Sequence, residues 1–469
     1  MKVISIFVFI LTLSRVAELF AEPASPPPNL IVIMPDDLGY ADTGFNGSTE
    51  LPTPNIDRIA RDGVVFTDAY VTYTVCGPSR AGFITGRHGQ RHGFERNPAW
   101  RPHDPEVGLS LDERTLADAL GEIGYTSGII GKWHLGSHDN FHPLNRGFDE
   151  FYGHLGGGLR YFPEDLYIRD WREARNEPES YLTWVVRNWE PVRTEQYLTD
   201  EFTREALEFI QRHHENPFFL FLAYNAPHAP MQAPQEEIDK FSHIDDETRR
   251  IYAAMVTVMD RGIGELLDLL DELNISDNTA IFFFSDNGGP WNNGSNNRPL
   301  RGAKGTAFEG GFRVPYAVRW PGVFPAGLTY TEPILSLDVF ATMASYTGIP
   351  HDPERPLDGV DLIPYVNGYI EGPPHERIYL RMFDRGAFAM RDGDYKVVRP
   401  RASENTLLFN LRNDISESRN LAPDAAGRVS EMVETFNEWS AEMLEPAFQG
   451  LDMDEWRNPR VRPRSAFEL

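Results

Sequence analysis

The sequence has one cysteine, Cys76, so an internal disulfide is excluded and packing must hold the fold. It is also short of positive charge. Its 469 residues carry 44 Lys+Arg against 70 Asp+Glu, a net charge of −26. Nucleic-acid phosphates are bound through a basic footprint, which excludes nucleic acid as a fitting partner. The same deficit disfavours docking on anionic membranes. Long apolar runs are scarce. The longest, Val3 to Leu13, is too short to cross a bilayer. There is no internal repeat and no low-complexity block beyond EPASPPP at 22–28. What is present is ordinary globular composition, 41% hydrophobic and 24% charged. A chain of this length buries a sizeable core, as one large domain with a smaller partner or as two to three domains.

The N-terminus reads as an export signal. Lys2 precedes the apolar run, and small residues then offer a cleavage point after Ala21. Residues 1–21 are therefore expected to be removed, with 22–28 a flexible leader. The mature protein is expected to be periplasmic or secreted, with no stable membrane anchor. A leftover cysteine in an exported chain calls for a chemical explanation.

Four segments are continuous apolar runs, as expected of strands buried on both faces of a parallel sheet: NLIVIMP from Asn29, TSGIIG from Thr126, PFFLFLAY from Pro217 and TAIFFFS from Thr279. Helical periodicity lies between them, at 55–61, 111–123, 198–213 and 247–273. The alternation predicts an α/β sandwich with a large, mainly parallel sheet over 29–370. Beyond 371 the pattern becomes short alternating strands, near 377–382, 387–391, 394–399 and 407–410, then one helix over 429–443. This predicts a smaller C-terminal domain over 371–469, an antiparallel sheet with a helix.

The polar residues that follow the buried strands carry the functional reading. Asp36 and Asp37 follow the first, Lys132 and His134 the second, Asn225 and His228 the third, Asp286 and Asn287 the fourth. Ligands of open α/β sheets bind outside the carboxyl ends of the strands, so these groups should converge on one edge. Three carboxylates and an amide oxygen suit a hard divalent cation, Ca²⁺ or Mg²⁺, better than zinc. Lys132 and His134, two apart, would share a face of an extended segment. Lys304 sits in the Gly-rich RGAKGTAFEGG and is placed to reach an anion. Cys76 lies in TVCGPSRAGFITGRHG, where Pro78 can start a helix and leave Cys76 near its N-terminus, with Arg80 beside it. From these residues alone Cys76 is either a small buried hydrophobe or a nucleophile.

Cys76-Gly77-Pro78-Ser79-Arg80 resembles the C-x-P-S-R signature of formylglycine-dependent sulfatases of the alkaline phosphatase superfamily. PDDLGY, GKWHLG, APHAP, SDNGG and RGAKGTAFEGG follow the same family pattern in order. The resemblance implies an alkaline-phosphatase-like fold and oxidation of Cys76 to formylglycine by a maturation enzyme that reads Pro78 and Arg80. It implies calcium held by Asp36, Asp37, Asp286 and Asn287, with the modified Cys76 completing the site. Arg80, Lys132, His134, His228 and Lys304 match the sulfate-binding and acid/base residues. In the implied reaction the aldehyde hydrate attacks sulfur, His228 protonates the leaving alcohol, and His134 takes a proton so that sulfate is expelled.

The expected function is hydrolysis of sulfate esters on a sulfated carbohydrate, such as an algal galactan, ulvan or glycosaminoglycan fragment. Two other readings remain at this point: a formylglycine-dependent phosphonate or phosphodiester hydrolase, and a non-catalytic glycan-binding protein. His92, His154 and Arg160 are candidate substrate contacts, together with Arg96, Trp100 and Tyr161.

Overall fold

A computed structural model describes residues 27–166, 184–350 and 352–451. The predicted signal segment, residues 22–26 of the leader and the tail beyond 451 lie outside these residues. The strand Asn29–Ile33 is buried along its whole length. Leu30 and Val32 enter one hydrophobic core and Ile31 and Ile33 the other. Phe218–Ala223 and Thr279–Phe284 divide the same way, with Phe219, Phe221, Phe282 and Phe284 on one side and Leu220, Leu222, Ile281 and Phe283 on the other. Side chains alternate across a strand, so a strand covered on both faces must be apolar throughout.

These strands are the centre of a ten-stranded sheet. Thr279–Phe284, Asn29–Ile33, Phe218–Ala223, Thr126–Lys132 and Glu150–His154 are consecutive neighbours and all parallel. The margins depart from the expected pattern. Tyr316–Arg319 pairs antiparallel with Thr279–Phe284, and a short hairpin, Val186–Arg187 with Glu190–Pro191, closes the other side. The parallel core matters for function, because it brings the ends of four predicted strands to one edge.

The helices Leu198–His213 and Glu247–Glu272 cover one face, near their expected bounds. The helix expected from 111 begins only at Leu116. Thr115 caps it through a reciprocal capping box with Asp118, which leaves Leu111 exposed outside. The Cys76–Thr85 helix begins two residues before Pro78, so Cys76 is its first residue.

The second unit is a four-stranded antiparallel meander, Arg377–Met382, Ala387–Asp392, Tyr395–Arg399 and Leu407–Asn410, with the helix Ala426–Ala441. Phe388, Met390, Val397 and Leu408 pack on Met432 and Phe436 of that helix. The opposite face, with Ile378, Leu380 and Ala389, joins the core on one side of the large sheet. Lys396, fully buried, meets Glu309 at 2.7 Å and Glu417 at 2.9 Å and ties the small sheet to the Gly-rich segment. Among the described residues no helix is long and apolar enough to cross a membrane.

Candidate active site

The four parallel strands deliver their polar residues to one buried cluster. Asp36, Asp286 and Asn287 are fully buried, and Asp37 is nearly so. Oxygens of Asp36, Asp37 and Asp286 lie within 4.8 Å of one another. Such a group of carboxylates must be offset by positive charge. Lys132 Nζ is 2.5 Å from Asp36 Oδ2, and Lys304 Nζ is 2.6 Å from Asp37 Oδ1. Arg80 donates from Nε and Nη2 to Asp286 Oδ2 at 3.0 and 2.9 Å, and from Nη1 to the Lys132 carbonyl at 2.9 Å. A planar fork serves such a convergent arrangement better than an ammonium.

Cys76 is buried at the first residue of its helix, with Sγ 3.5 Å from Asp36 Oδ1 and 3.1 Å from Lys304 Nζ. Burial pushes its thiol up, but the Lys132 and Lys304 charges outweigh this and bring it down to about 6. Asp286 moves the other way, to about 6, through burial and the charge of Asp36. Burial also acts on Asp37, where Lys304 and His228 prevail and hold it at about 2.

The two histidines have opposite environments. Burial, then the Lys132 and Arg80 charges, holds His134 well below its ordinary value. Burial lowers His228, but Asp36 and Asp37 outweigh it and the net shift is upward. His228 Nδ1 is 2.5 Å from the Ala229 carbonyl, and its Nε2 is 3.6 Å from Asp37 Oδ2. A donating Nδ1–H leaves Nε2 as the exchangeable position.

Two residues at strand ends are left-handed without being glycine, Asp37 at φ +69° and His134 at φ +60°. Such conformations are costly, and sites that re-aim side chains tend to hold them. His134 is therefore not the next same-face residue after Lys132, as the extended-strand argument supposed. The strand ends at Lys132 and the chain turns. His134 still belongs to the group, since Lys132, Arg80, Lys304 and His228 all act on its charge.

A cation fits this donor set. Asn287 Nδ2 donates to Asp37 Oδ1 at 2.7 Å and to the Gly288 carbonyl at 3.0 Å. Its Oδ1 is buried and accepts no hydrogen bond among the described residues. A buried oxygen without a donor, beside three carboxylates, is satisfied by a hard cation.

The expected substrate contacts fare differently. His154 is fully buried beside Lys132 in the sheet, where burial and then the charges of Lys132, Arg80, His134 and His228 hold it well below its ordinary value. His92 is buried against Phe94, and the charges that act on it are Arg87, Arg146 and Asp358 rather than the cluster. Arg96 is engaged by Asp384, and Trp100 is buried against Trp184. Arg160 is half-buried. Its neighbour Tyr161 is a positioning residue: its hydroxyl donates to the carbonyls of Asn225 and His228, both at 2.8 Å. Asn293, which the sequence did not single out, reaches the carbonyls of Asp37 and Pro227 at 3.4 and 3.5 Å. Only its place in an Asn-rich loop after SDNGG hinted at this.

Comparison with known proteins agrees with this geometry. A family model described as Sulfatase matches residues 28–349. N-acetylgalactosamine-6-sulfatase of Canis lupus familiaris is 37% identical over 369 residues, 75% of this chain and 68% of that protein. Arylsulfatase A of Bos taurus is 34% identical, with 90% of this chain and 89% of that protein covered. The crystal structure of Ps i-CgsB superposes with a TM-score of 0.87 at 38% identity, covering 94% of this chain and all (100%) of that one. The same protein in complex with k-i-k-neocarrahexaose gives 0.86, over 92% and 97%. A phosphonate monoester hydrolase of Agrobacterium radiobacter, at 20% identity and a TM-score of 0.63, shares the fold alone. With the family model matched across the strand ends that build the cluster, the chain belongs to the sulfatase family and is a sulfuric ester hydrolase.

Proposed function

We propose that this protein is an exported sulfatase that releases sulfate from a sulfated carbohydrate, with galactan and glycosaminoglycan fragments the first substrates to test and ulvan fragments beside them. The observation that carries the reading is the convergence of four parallel strand ends on Cys76. The substrate class is supported by two relatives, one named for N-acetylgalactosamine-6-sulfate and one crystallised with a carrageenan hexasaccharide.

Asp36, Asp37, Asp286 and Asn287 would hold the cation, with the modified residue 76 beside them. When bound, it supplies positive charge to a sulfate oxygen and to the nucleophile. Formylglycine at 76, made by a maturation enzyme, supplies a hydrated aldehyde in place of the thiol. The chain's own groups do the rest. Lys132 and Lys304 set the positive charge that draws the sulfate into an acidic body. Arg80 adds charge and fixes Asp286 and the Lys132 carbonyl. Groups whose surroundings push their acidities apart divide into acid and base. His228, raised, carries the proton for the departing alcohol on Nε2, and His134, lowered, is neutral and accepts one.

The test combines mass spectrometry of the peptide around residue 76 with sulfate release from a glycan panel, after co-expression with a maturation enzyme. Aldehyde at 76 and calcium-dependent sulfate release are expected. A thiol at 76 in fully active protein would overturn the mechanism. Faster turnover of a phosphonate monoester than of every sulfate ester would favour phosphonate hydrolysis instead.

A further inference from the structure

We propose that Trp291 is a stacking platform for the sugar ring next to the sulfated one, so that the site takes an oligosaccharide rather than a single sugar. The inference rests on the sulfated-carbohydrate reading above. Among the described tryptophans only Trp291 is strongly exposed, at 78%. Trp100, Trp133, Trp184 and Trp320 are buried, which is where a large apolar ring normally goes.

The loop that carries it is not loose. Gly289 N–H donates to Asn297 Oδ1 at 3.0 Å, and Asn297 Nδ2 donates back to the Gly289 carbonyl at 2.7 Å. Ser295 Oγ donates to the Pro290 carbonyl at 2.7 Å, and Ser295 N–H to Asn293 Oδ1 at 2.9 Å. Arg249 Nη1 holds the Gly294 carbonyl at 2.9 Å. Asn293 anchors the loop inward, onto the carbonyls of Asp37, a member of the cation cluster, and Pro227, the neighbour of His228. Trp291 is two residues along the chain from that anchor, and its indole is exposed on a hydrogen-bonded loop. A pre-positioned side chain loses little freedom when a ligand arrives.

The chemistry fits the ligand class. One face of a pyranose ring is lined with C–H groups, and an indole offers the widest apolar face of any side chain, with its N–H at the edge. Asn292, also exposed, adds an amide beside it for sugar hydroxyls. Stacking needs no charge. An acidic chain of −26 can thus hold a polyanionic glycan through a contact that needs no basic partner.

The test compares a sulfated monosaccharide with an oligosaccharide carrying the same terminal sulfated sugar, for the wild type, Trp291→Ala and Trp291→Phe. In Trp291→Ala the ratio of kcat/KM for oligosaccharide over monosaccharide should fall about tenfold, equivalent to ~1.4 kcal/mol, through KM rather than kcat. Trp291→Phe should keep most of the preference. An unchanged ratio would overturn the proposal, as would an equal loss on both substrates, which marks a structural role. So would an unchanged ratio with a wild-type dimer becoming monomeric, which marks a contact between copies. If the wild type releases sulfate from no sugar at all, the carbohydrate reading falls and takes this inference with it. If it does release sulfate and the ratio is unmoved, only the role of Trp291 falls.

Discussion

Replacing Asn287 with aspartate tests the cation cluster without touching the Cys76 motif. Asn287 is fully buried, and its Nδ2 makes two hydrogen bonds, to Asp37 Oδ1 at 2.7 Å and to the Gly288 carbonyl at 3.0 Å. Asn287→Asp keeps the shape and removes both donors. The bond to a charged acceptor is worth about 1.5–3 kcal/mol and the neutral one about 1 kcal/mol. A new carboxylate then faces Asp37 at close range, so a total cost of about 4 kcal/mol is expected without a cation. At roughly 2 °C per kcal/mol for a large domain, Tm in EDTA should drop by about 8 °C. Calcium should reverse the order of effects. A fourth carboxylate is a stronger hard ligand than an amide. A ligand that binds the folded state alone adds about 2.7 kcal/mol at a hundred times its Kd. Calcium should therefore raise the Tm of the variant more than that of the wild type, in thermal scans of both proteins with EDTA and with calcium chloride. The cation assignment would be refuted if the variant melts with the wild type in EDTA, or if calcium moves neither protein.

Other predictions follow from the same cluster and its surroundings. Cys76→Ser should abolish turnover while calorimetry still detects glycan binding, and retained turnover would remove Cys76 as the source of the nucleophile. Lys304→Met takes away the ammonium 2.6 Å from Asp37 and 3.1 Å from Cys76. Its kcat/KM should fall about 10²–10³-fold, as for loss of one oxyanion donor, and a loss under threefold in steady-state kinetics would exclude it from the reaction. His92 titrates near 3 through burial, below an unfolded value of about 6.5. Its folded pKa is depressed, so the unfolded state binds the extra proton and stability is lost as pH falls from about 6.5 towards 3. His92→Phe should move the acid-unfolding midpoint, followed by circular dichroism, to lower pH. An unmoved midpoint would show that this ring does not govern acid sensitivity. Arg385, from the small domain, donates to the Gly305 carbonyl next to Lys304. Arg385→Ala should lower kcat several-fold with a small change in Tm, and unaltered kcat would show that the loop holds Lys304 unaided.

Most of the cluster was legible because parallel sheets make a one-dimensional rule. A buried apolar run must end where it meets the sheet edge, and whatever polar residue comes next is presented there. Asp36, Lys132, His228 and Asp286 all obeyed it. The rule brought Asp37 and His134 to the same edge but did not give their side-chain directions, because there the backbone leaves the strand. Left-handed Asp37 and His134 re-aim their side chains, and no periodicity encodes that. The rule does not speak to the burial of His92 and His154. Both are enclosed by neighbours distant in sequence. Secondary-structure edges moved for local reasons. The helix expected from 111 begins after the Thr115 cap, and Cys76, not Pro78, opened its helix.

The sequence by itself determined the layers of the fold, the single cysteine and its motif, and the set of acids, lysines and histidines offered to one edge. Local patterning suffices for these, because side-chain alternation and strand-end position are properties of a few consecutive residues. The tertiary structure alone decided which of those residues are within reach of one another and what each one's proton does. Asp286 and Asp37, both strand-end acids, move in opposite directions because one faces Asp36 and the other faces Lys304. It also decided that Trp291 stands in water while the other described tryptophans are wholly or partly covered, since exposure depends on what every other part of the chain leaves uncovered.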